Sequence, residues 1–573
     1  IFDKSGNTDT AVILDNDGKL FALNSKTKIE IRLKENGGGA KSSVLFINVP
    51  TTNTGNANGS SLVINADTTL QSDLTVCSCT INDKKTLTVP KNITLTVDED
   101  ITVLGDGKLL ILDGGSFLQT STDNNMFKGS KESFEAQRTV NITRFDITYW
   151  SSPVSDFSMH DLSPETLYDK FASWDNTNGK WATIINGLIN MDPGTGYSIR
   201  GPQSHDINQP SDFTAKFIGT PNNGDIEVKL VSGKFNFIGN PYPSSIDAEE
   251  FISNNGEVGA LYFWSHNTPP KIVEGTNTYR YSSSDYAVFS MMGQTRPSPK
   301  GQAPDGHIGT GQGFFIQPNV NSIFFKNGQR LKANNTTFFK TTSKNSTIEK
   351  NRIWLNLTNN DDAFKQMLVG YATGATNSWD YNYDATTMGS NSYIDFYSIN
   401  ESKRLTIQGR ALPFDNTDTV PLGYKSTFAG DLTISIDHVD GLFNNQEIYL
   451  EDKLKGVIID LRKENYTFKT AIGTSSTRFV LRFTNKTLGT DDFENIADGL
   501  LVAVKSKVIN ITSGIENIKE VQIYTIGGQL LYSKSKIDAK ELEIANLHSS
   551  NQVLLAKVIL ENNHEVTKKI IFN

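Results

Sequence analysis

Apolar residues recur at alternate positions along most of this chain, in runs of β-branched and aromatic side chains broken by Gly, Asn and Asp. Helical periodicity is nearly absent. The pattern predicts short strands closed by tight turns, and an all-β protein. Only SPETLYDKF (Ser163 to Phe171) and DAEEFIS (Asp247 to Ser253) read as helical. The most regular stretch is LTVPKNITLTVDEDITVLGDGKLLILDGGSFLQT. There Ile93, Ile101, Leu109 and Phe117 recur every eight residues, and so do Leu87, Leu95, Val103 and Ile111. One strand-and-turn unit cannot bury its apolar face, but stacked units can. Residues from about 60 to about 120 are therefore expected to form a short β-solenoid, with a tight β-meander as the alternative.

Changes in this rhythm mark four regions. Residues 1–140 form the solenoid-like region; its opening stretch AVILDNDGKLFAL carries Asp15-Asn16-Asp17-Gly18, which reads as a turn because the full twelve-residue calcium-ligand pattern is lacking. Residues 141–340 are an aromatic-rich β domain holding FNFIGNPYPSSIDAEEF and GTGQGFFI, and Thr341 to Asn351 is a polar linker. Strand-like segments at regular spacing make residues 352–488 a β-sandwich. The acidic run Asn485 to Gly499 then leads into residues 498–573, read as an Ig-like sandwich of about seven short strands. Its hairpins turn at Gly527-Gly528, taken as a two-residue loop, and at Asn562-Asn563. In the closing strand HEVTKKIIFN, Val566, Ile570 and Phe572 should face inward, and Thr567 and Lys569 outward.

Composition narrows the classes. The 573 residues carry a formal net charge of -9 and no dense basic cluster, so nucleic acid is not an expected partner. No apolar run is long enough for a transmembrane helix. The chain opens on Ile1 rather than Met, which reads as a mature or excised form. Its two cysteines, Cys77 and Cys79, share one strand face. They read as two buried structural thiols, with a strained bridge or a weak metal contact as alternatives.

Candidate chemistry is sparse. No zinc-protease helix, nucleophile elbow or phosphate loop is present, and GTGQGFFI leads into a strand without a following lysine. His160, His205, His266, His307, His438, His548 and His564 lack metal-ligand spacing. Asp361-Asp362 and Asp491-Asp492 lie in polar loop contexts. No catalytic centre, metal or cofactor is expected. Trp174, Trp181 and Trp379 are candidates for stacking sugar rings, although such tryptophans more often brace hairpins and fill cores.

The last region resembles the type A C-terminal sorting domain of proteins exported by the type IX (Por) secretion system of Bacteroidetes. VQIYTIGGQLLYS, an EIANL segment ahead of a strand, and the ending KVILENNHEVTKKIIFN carry the resemblance over Asp498 to Asn573. Asn562-Asn563 stands where that family commonly has a glycine. Upstream, TYWSSPV, FIGNPYPSSID, GQGFFI, RIWLNLTN, LVGYATGATNSWDYNYDA and EIYLEDK resemble flavobacterial surface proteins. The resemblance implies a secreted or cell-surface cargo without catalytic activity, adhesin-like in role. It also implies partners: an outer-membrane shuttle barrel, the translocon, and in many cargos a sortase-like peptidase. The sorting signal would comprise Gly527 and Gly528 with Lys568, Lys569, Ile570, Ile571 and Phe572, the two lysines exposed. It further implies O-glycosylation at Asp-Thr sequons, here at Thr10, Thr68 and Thr419. A carbohydrate-binding module, or part of a secreted hydrolase, is the alternative reading.

Overall fold

The computed structural model describes residues 12–14, 20–22, 61–123, 126–265, 271–272, 279–280, 286–299, 301–332, 348–360, 363–388, 393–485, 500–505, 507–514, 516–550 and 552–572. Nearly all regular structure is strand. The chain divides into two compact units, Ile1–Thr484 and Asn485–Asn573. Val12–Leu14 pairs antiparallel with Leu20–Ala22; the Asp15 to Gly18 connection lies outside the described residues.

The first unit begins with a β-solenoid of about three turns. Strands Thr68–Thr69, Thr86–Val89 and Lys108–Ile111 stack in parallel on one face, and Leu74–Val76, Thr94–Val97 and Ser116–Gln119 on a second. The third face holds Ser61–Ile64, Ser78–Ile81, Ile101–Val103 and Phe127–Lys128. Leu87 pairs with Leu109 and Leu95 with Phe117, so the coil from 87 to 109 takes 22 residues, whereas Thr68 to Leu87 takes 19 and Leu109 to Phe134 takes 25. The eight-residue rhythm is the step between faces. From Leu87 to Leu95, Ile101 and Leu109 the chain advances eight, six and eight residues, and all four side chains are fully buried. Stacking puts like residues beside like, which is how short strands build a continuous core.

Phe134–Ile142 continues the first face in parallel and pairs on its other edge, antiparallel, with Ser211–Ile218. One strand therefore passes the solenoid sheet to the next block. The FIGNPYPSSID segment latches the second face. Pro243 accepts the Phe117 N–H at 2.9 Å. Arg330, buried over the Tyr242 ring at 4.8 Å, donates to the Phe117 carbonyl at 2.6 Å and to Asn223 Oδ1 at 3.0 Å. Asn240 is fully buried; its amide donates to the carbonyls of Ser244, Ile308 and Gly309 at 2.8, 2.9 and 3.0 Å while its Oδ1 accepts from the Tyr242 N–H. A buried amide satisfied four times fixes the turn around it.

The helix expected at Ser163 to Phe171 does not form. The helix is Met159–Leu162, capped by Ser158, and Ser163 ends it. Ser163 precedes Pro164, and a residue before proline is steered away from helical backbone. Ala248–Ser253 is helical as expected, with Asp247 accepting the Glu250 N–H at 3.1 Å.

Asn236–Gly239, Gly313–Ile316, Leu261–Trp264, Tyr286–Ser290 and Gly293–Thr295 form a five-stranded sheet. Its aromatic residues share a core with Trp354, Leu368 and Ile407 from the following region. That region opens with a strand at Lys350, two residues inside the supposed linker. Ten of its strands form one hydrogen-bonded path from Val457–Asp460 to Tyr466–Thr470. The sheet curls until its far strand approaches its near ones: Phe468 and Phe479 have ring centroids 4.7 Å apart.

In the second unit, Leu500–Lys505, Val508–Ser513 and Glu541–Ile544 form one sheet. Leu530–Ala539, Ile518–Thr525, Gln552–Leu560 and Glu565–Phe572 form the other. Ile509, Ile511, Val521, Ile523, Leu554, Val558 and Phe572 fill the space between them, giving a seven-stranded sandwich.

Candidate functional site

The closing strand, Glu565–Phe572, lies at the edge of the four-stranded sheet, paired only with Gln552–Leu560 among the described residues. Val566, Ile570 and Phe572 are buried while Thr567 and Lys569 are exposed, so alternation holds to the end of the strand. At the base of the hairpin the Leu560 N–H donates to the His564 carbonyl at 3.0 Å. Antiparallel ladders alternate bonded and non-bonded pairs. The N–H and C=O groups of Glu565, Thr567, Lys569 and Ile571 therefore face the side that carries no hydrogen-bonded strand among the described residues. An edge of this kind is a template for another extended segment.

The two lysines differ. Lys569 projects from the outer face, but Lys568 sits opposite Ala556 on the core side and is half-buried, not exposed as expected. Strand alternation forces this, since Lys568 is two residues from both Val566 and Ile570. An inward lysine on an edge strand is a device against edge-to-edge association. Ile571 is 66% exposed, and the same face carries exposed Leu530. Between them lie half-buried Val553, Leu555 and Tyr524, linked by strand pairing. Beside the turn, Glu565 pairs with Lys557 at 2.8 Å and raises the lysine's pKa, chiefly through that hydrogen bond.

Gly527 and Gly528 turn the neighbouring hairpin, through a three-residue loop instead of the expected two. Thr525 donates to the Gln529 carbonyl and accepts from the Gly528 N–H, each at 2.9 Å. Only Gly528 has positive φ, +84°, which marks a type I turn followed by a glycine bulge. The Glu561–Asn562–Asn563 loop repeats it: Asn563 N–H donates to Leu560 O at 2.9 Å, and Asn563 takes φ +62° where Gly528 stands in the other hairpin. Asparagine tolerates that conformation better than other non-glycine residues.

Trp174 and Trp181 come together, centroids 5.1 Å apart and edge to face at 74°. Trp181 also meets Phe237 and Phe315 edge to face, and Trp174 donates its indole N–H to the Phe235 carbonyl at 2.9 Å. Trp181 remains 41% exposed and so offers some ring surface. Trp379 stands apart from both, against Tyr381 and beneath the Lys403 ammonium, 5.0 Å from its ring centroid.

Thr10 lies outside the described residues. Thr68 is half-buried in a solenoid strand, its hydroxyl donating to Ala66 O at 2.8 Å. Thr419 opens a strand just after Asp418, which two Arg410 hydrogen bonds (2.6 and 2.8 Å) and one from Tyr371 (2.7 Å) clamp in place. Cys79 is buried in the solenoid core and its thiol is pushed up to about 12 by burial. Cys77, expected to be buried, is only half-buried, because it stands at the corner before the strand Ser78–Ile81 begins. No group of three or more His, Cys, Asp or Glu suited to a metal occurs among the described residues.

A two-unit, all-β protein, with a solenoid and curled sheets ahead of a small sandwich, is the class so defined. The chain belongs to the family of a domain of unknown function, DUF8693, which matches residues 47–483. A second domain of unknown function, DUF8694, matches residues 488–572. The two matches meet where the units divide. No curated protein matches the chain. Among solved structures, Tp47, the 47-kilodalton lipoprotein of Treponema pallidum, matches 57% of this chain and 90% of its own at 9% identity. Its TM-score is 0.11, too low to carry an argument.

Proposed function

We propose that this protein is a non-catalytic secreted or cell-surface cargo, adhesin-like in role, exported through the outer membrane by a type IX route and addressed by its second unit. One observation carries the reading: the closing strand is an ordered edge with no hydrogen-bonded strand on its outer side among the described residues, and Lys569 and Ile571 stand exposed beside it. The resemblance of VQIYTIGGQLLYS and HEVTKKIIFN to type A sorting domains supplies the partner class, an outer-membrane shuttle barrel and its translocon. Strand addition is the docking mode, with backbone hydrogen bonds giving affinity and alternate side chains giving specificity.

The test uses the double variant Lys569→Glu/Ile571→Glu in the producing bacterium. Both side chains lie outside the core, so the sandwich should keep its stability. The full chain is then followed by blotting of medium, surface and periplasmic fractions. Retention in the periplasm is expected. Normal appearance outside the cell, for this variant and for one lacking residues 565–573, would refute the address.

A further inference from the structure

The long curled sheet of the first unit closes at a seam between Tyr466–Thr470 and Gly473–Arg482, and a buried carboxylate holds the seam together. Asp452, fully buried, accepts from Arg478 Nε at 3.0 Å and Nη2 at 2.7 Å and from the Tyr466 hydroxyl at 2.7 Å. It also accepts the N–H groups of Leu454 and Lys455 at 3.0 and 3.3 Å, which shapes the turn carrying Lys453. The Arg478 guanidinium lies over the Phe468 and Phe479 rings at 4.6 and 4.8 Å and donates to the Lys469 carbonyl at 3.2 Å. One hub therefore sets both walls of the space above it.

That space is an open cavity of about 450 Å³. It is lined by the cations Lys453, Lys469 and Arg478 and by the hydroxyls of Thr470, Ser475 and Thr477, with no carboxylate among the described lining residues. Three cationic side chains line it in a chain whose net charge is -9. Of the carboxylates nearby, Asp452 is spent on Arg478 beneath the floor. Asp431 pairs with Lys469 at 3.1 Å, with both side chains more than half in solvent. Such an exposed pair is weak and exchanges readily for another anion. Lys453 is exposed. Leu454 and Ala471 add apolar wall, and Tyr424, itself buried, presents no open ring face to a planar base.

We propose that this cleft binds an anionic saccharide. Lys453 and Lys469 meet its sulfate or carboxylate groups, the Ser475 and Thr477 hydroxyls meet its ring hydroxyls, and Leu454 lies against its C–H face. The volume suits one or two sugar rings within the usual range of small-molecule sites. This site is separate from the closing strand and does not depend on the export reading.

The test titrates the full chain with three fluorescently labelled oligosaccharides: sulfated dextran, oligogalacturonate and neutral dextran. Binding of one or both charged probes is expected, weakening as salt rises, with none for the neutral probe; the two charged arms tell sulfate from carboxylate. Lys453→Ala/Lys469→Ala should weaken binding about tenfold or more while circular dichroism stays unchanged, as both side chains are exposed. Ser475→Ala/Thr477→Ala should weaken the saccharide but not inorganic sulfate. The proposal is overturned if neither charged probe binds, if the neutral probe binds equally well, or if either double variant leaves saccharide affinity intact.

Discussion

Of the adjacent glycines at the 525–529 turn, only Gly528 has positive φ, and a Cβ placed on it would have no heavy atom within 4 Å. Gly528→Ala should therefore cost ~1–2 kcal/mol through backbone conformation alone, whereas Gly527→Ala should be nearly neutral. Urea unfolding of the two variants checks this, and equal costs would mean that both glycines need the left-handed region. The Gly-Gly pair was legible in the sequence as a turn. Which glycine bends was not, because loop length depends on the register of the flanking strands. Asp384 makes a second case. It is buried, accepts N–H groups of Gly409 and Asp380 at 2.7 and 3.0 Å, and burial pushes its carboxyl up to about 7. Its folded pKa lies above the unfolded value near 4, so the folded state holds the proton more tightly. The stabilisation is full below about pH 4 and is lost as pH rises through 7. Between pH 5 and pH 8 the wild type should lose on the order of 1–3 kcal/mol more than Asp384→Asn, measured by denaturant unfolding at each pH. Parallel losses would show that Asp384 titrates normally.

At the level of elements, Glu565–Phe572 combines an open edge with an inward lysine. Lys568→Val would complete the apolar inner face with a β-favouring residue and remove the charge that discourages a second edge. Expected outcomes are an unchanged or raised unfolding midpoint and a concentration-dependent rise in self-association, read by sedimentation velocity. A monomer at every concentration would show that the lysine does not guard the edge. The strand and its apolar inner face were legible, since period-two alternation needs no distant partner to be read, whereas the inward side of Lys568 was not expected. The stretch from Ser163 was not legible as a loop, because Ser163-Pro164 also suits a helix start, yet residues 163–170 form turns ahead of the strand Phe171–Asp175. The solenoid was legible as a stack, but its coil length was hidden, since an eight-residue step repeated three times overshoots a 22-residue coil.

At the scale of the whole molecule, the polar hubs carry the architecture. Asn240 gathers carbonyls from residues 244, 308 and 309. Asn240→Ala would remove three buried hydrogen bonds and leave the Tyr242 N–H without its acceptor, although Gly309 O keeps the Gln312 N–H, a loss of roughly 2–4 kcal/mol. Calorimetry should show the lowered transition in the first unit; a shift below about 1 kcal/mol would mean that water replaces the side chain without loss. FIGNPYPSSID stood out in the sequence as a motif, yet nothing there revealed its work as a latch, because Phe117 lies more than a hundred residues before it and the carbonyls on Asn240 68 and 69 residues after it. The Asp452 seam was not legible for a different reason: Tyr466 and Arg478 lie only 14 and 26 residues from Asp452, but they meet it only once the sheet has curled.

The 22-residue coil has a further consequence. Each coil adds one strand spacing, ~4.8 Å, along the solenoid axis and contacts only its neighbours. Gain or loss of a whole coil would lengthen or shorten the solenoid by that increment without altering the latch at its far end. This part of the protein is a ruler graduated in single coils, along which reach can change while everything after it stays the same.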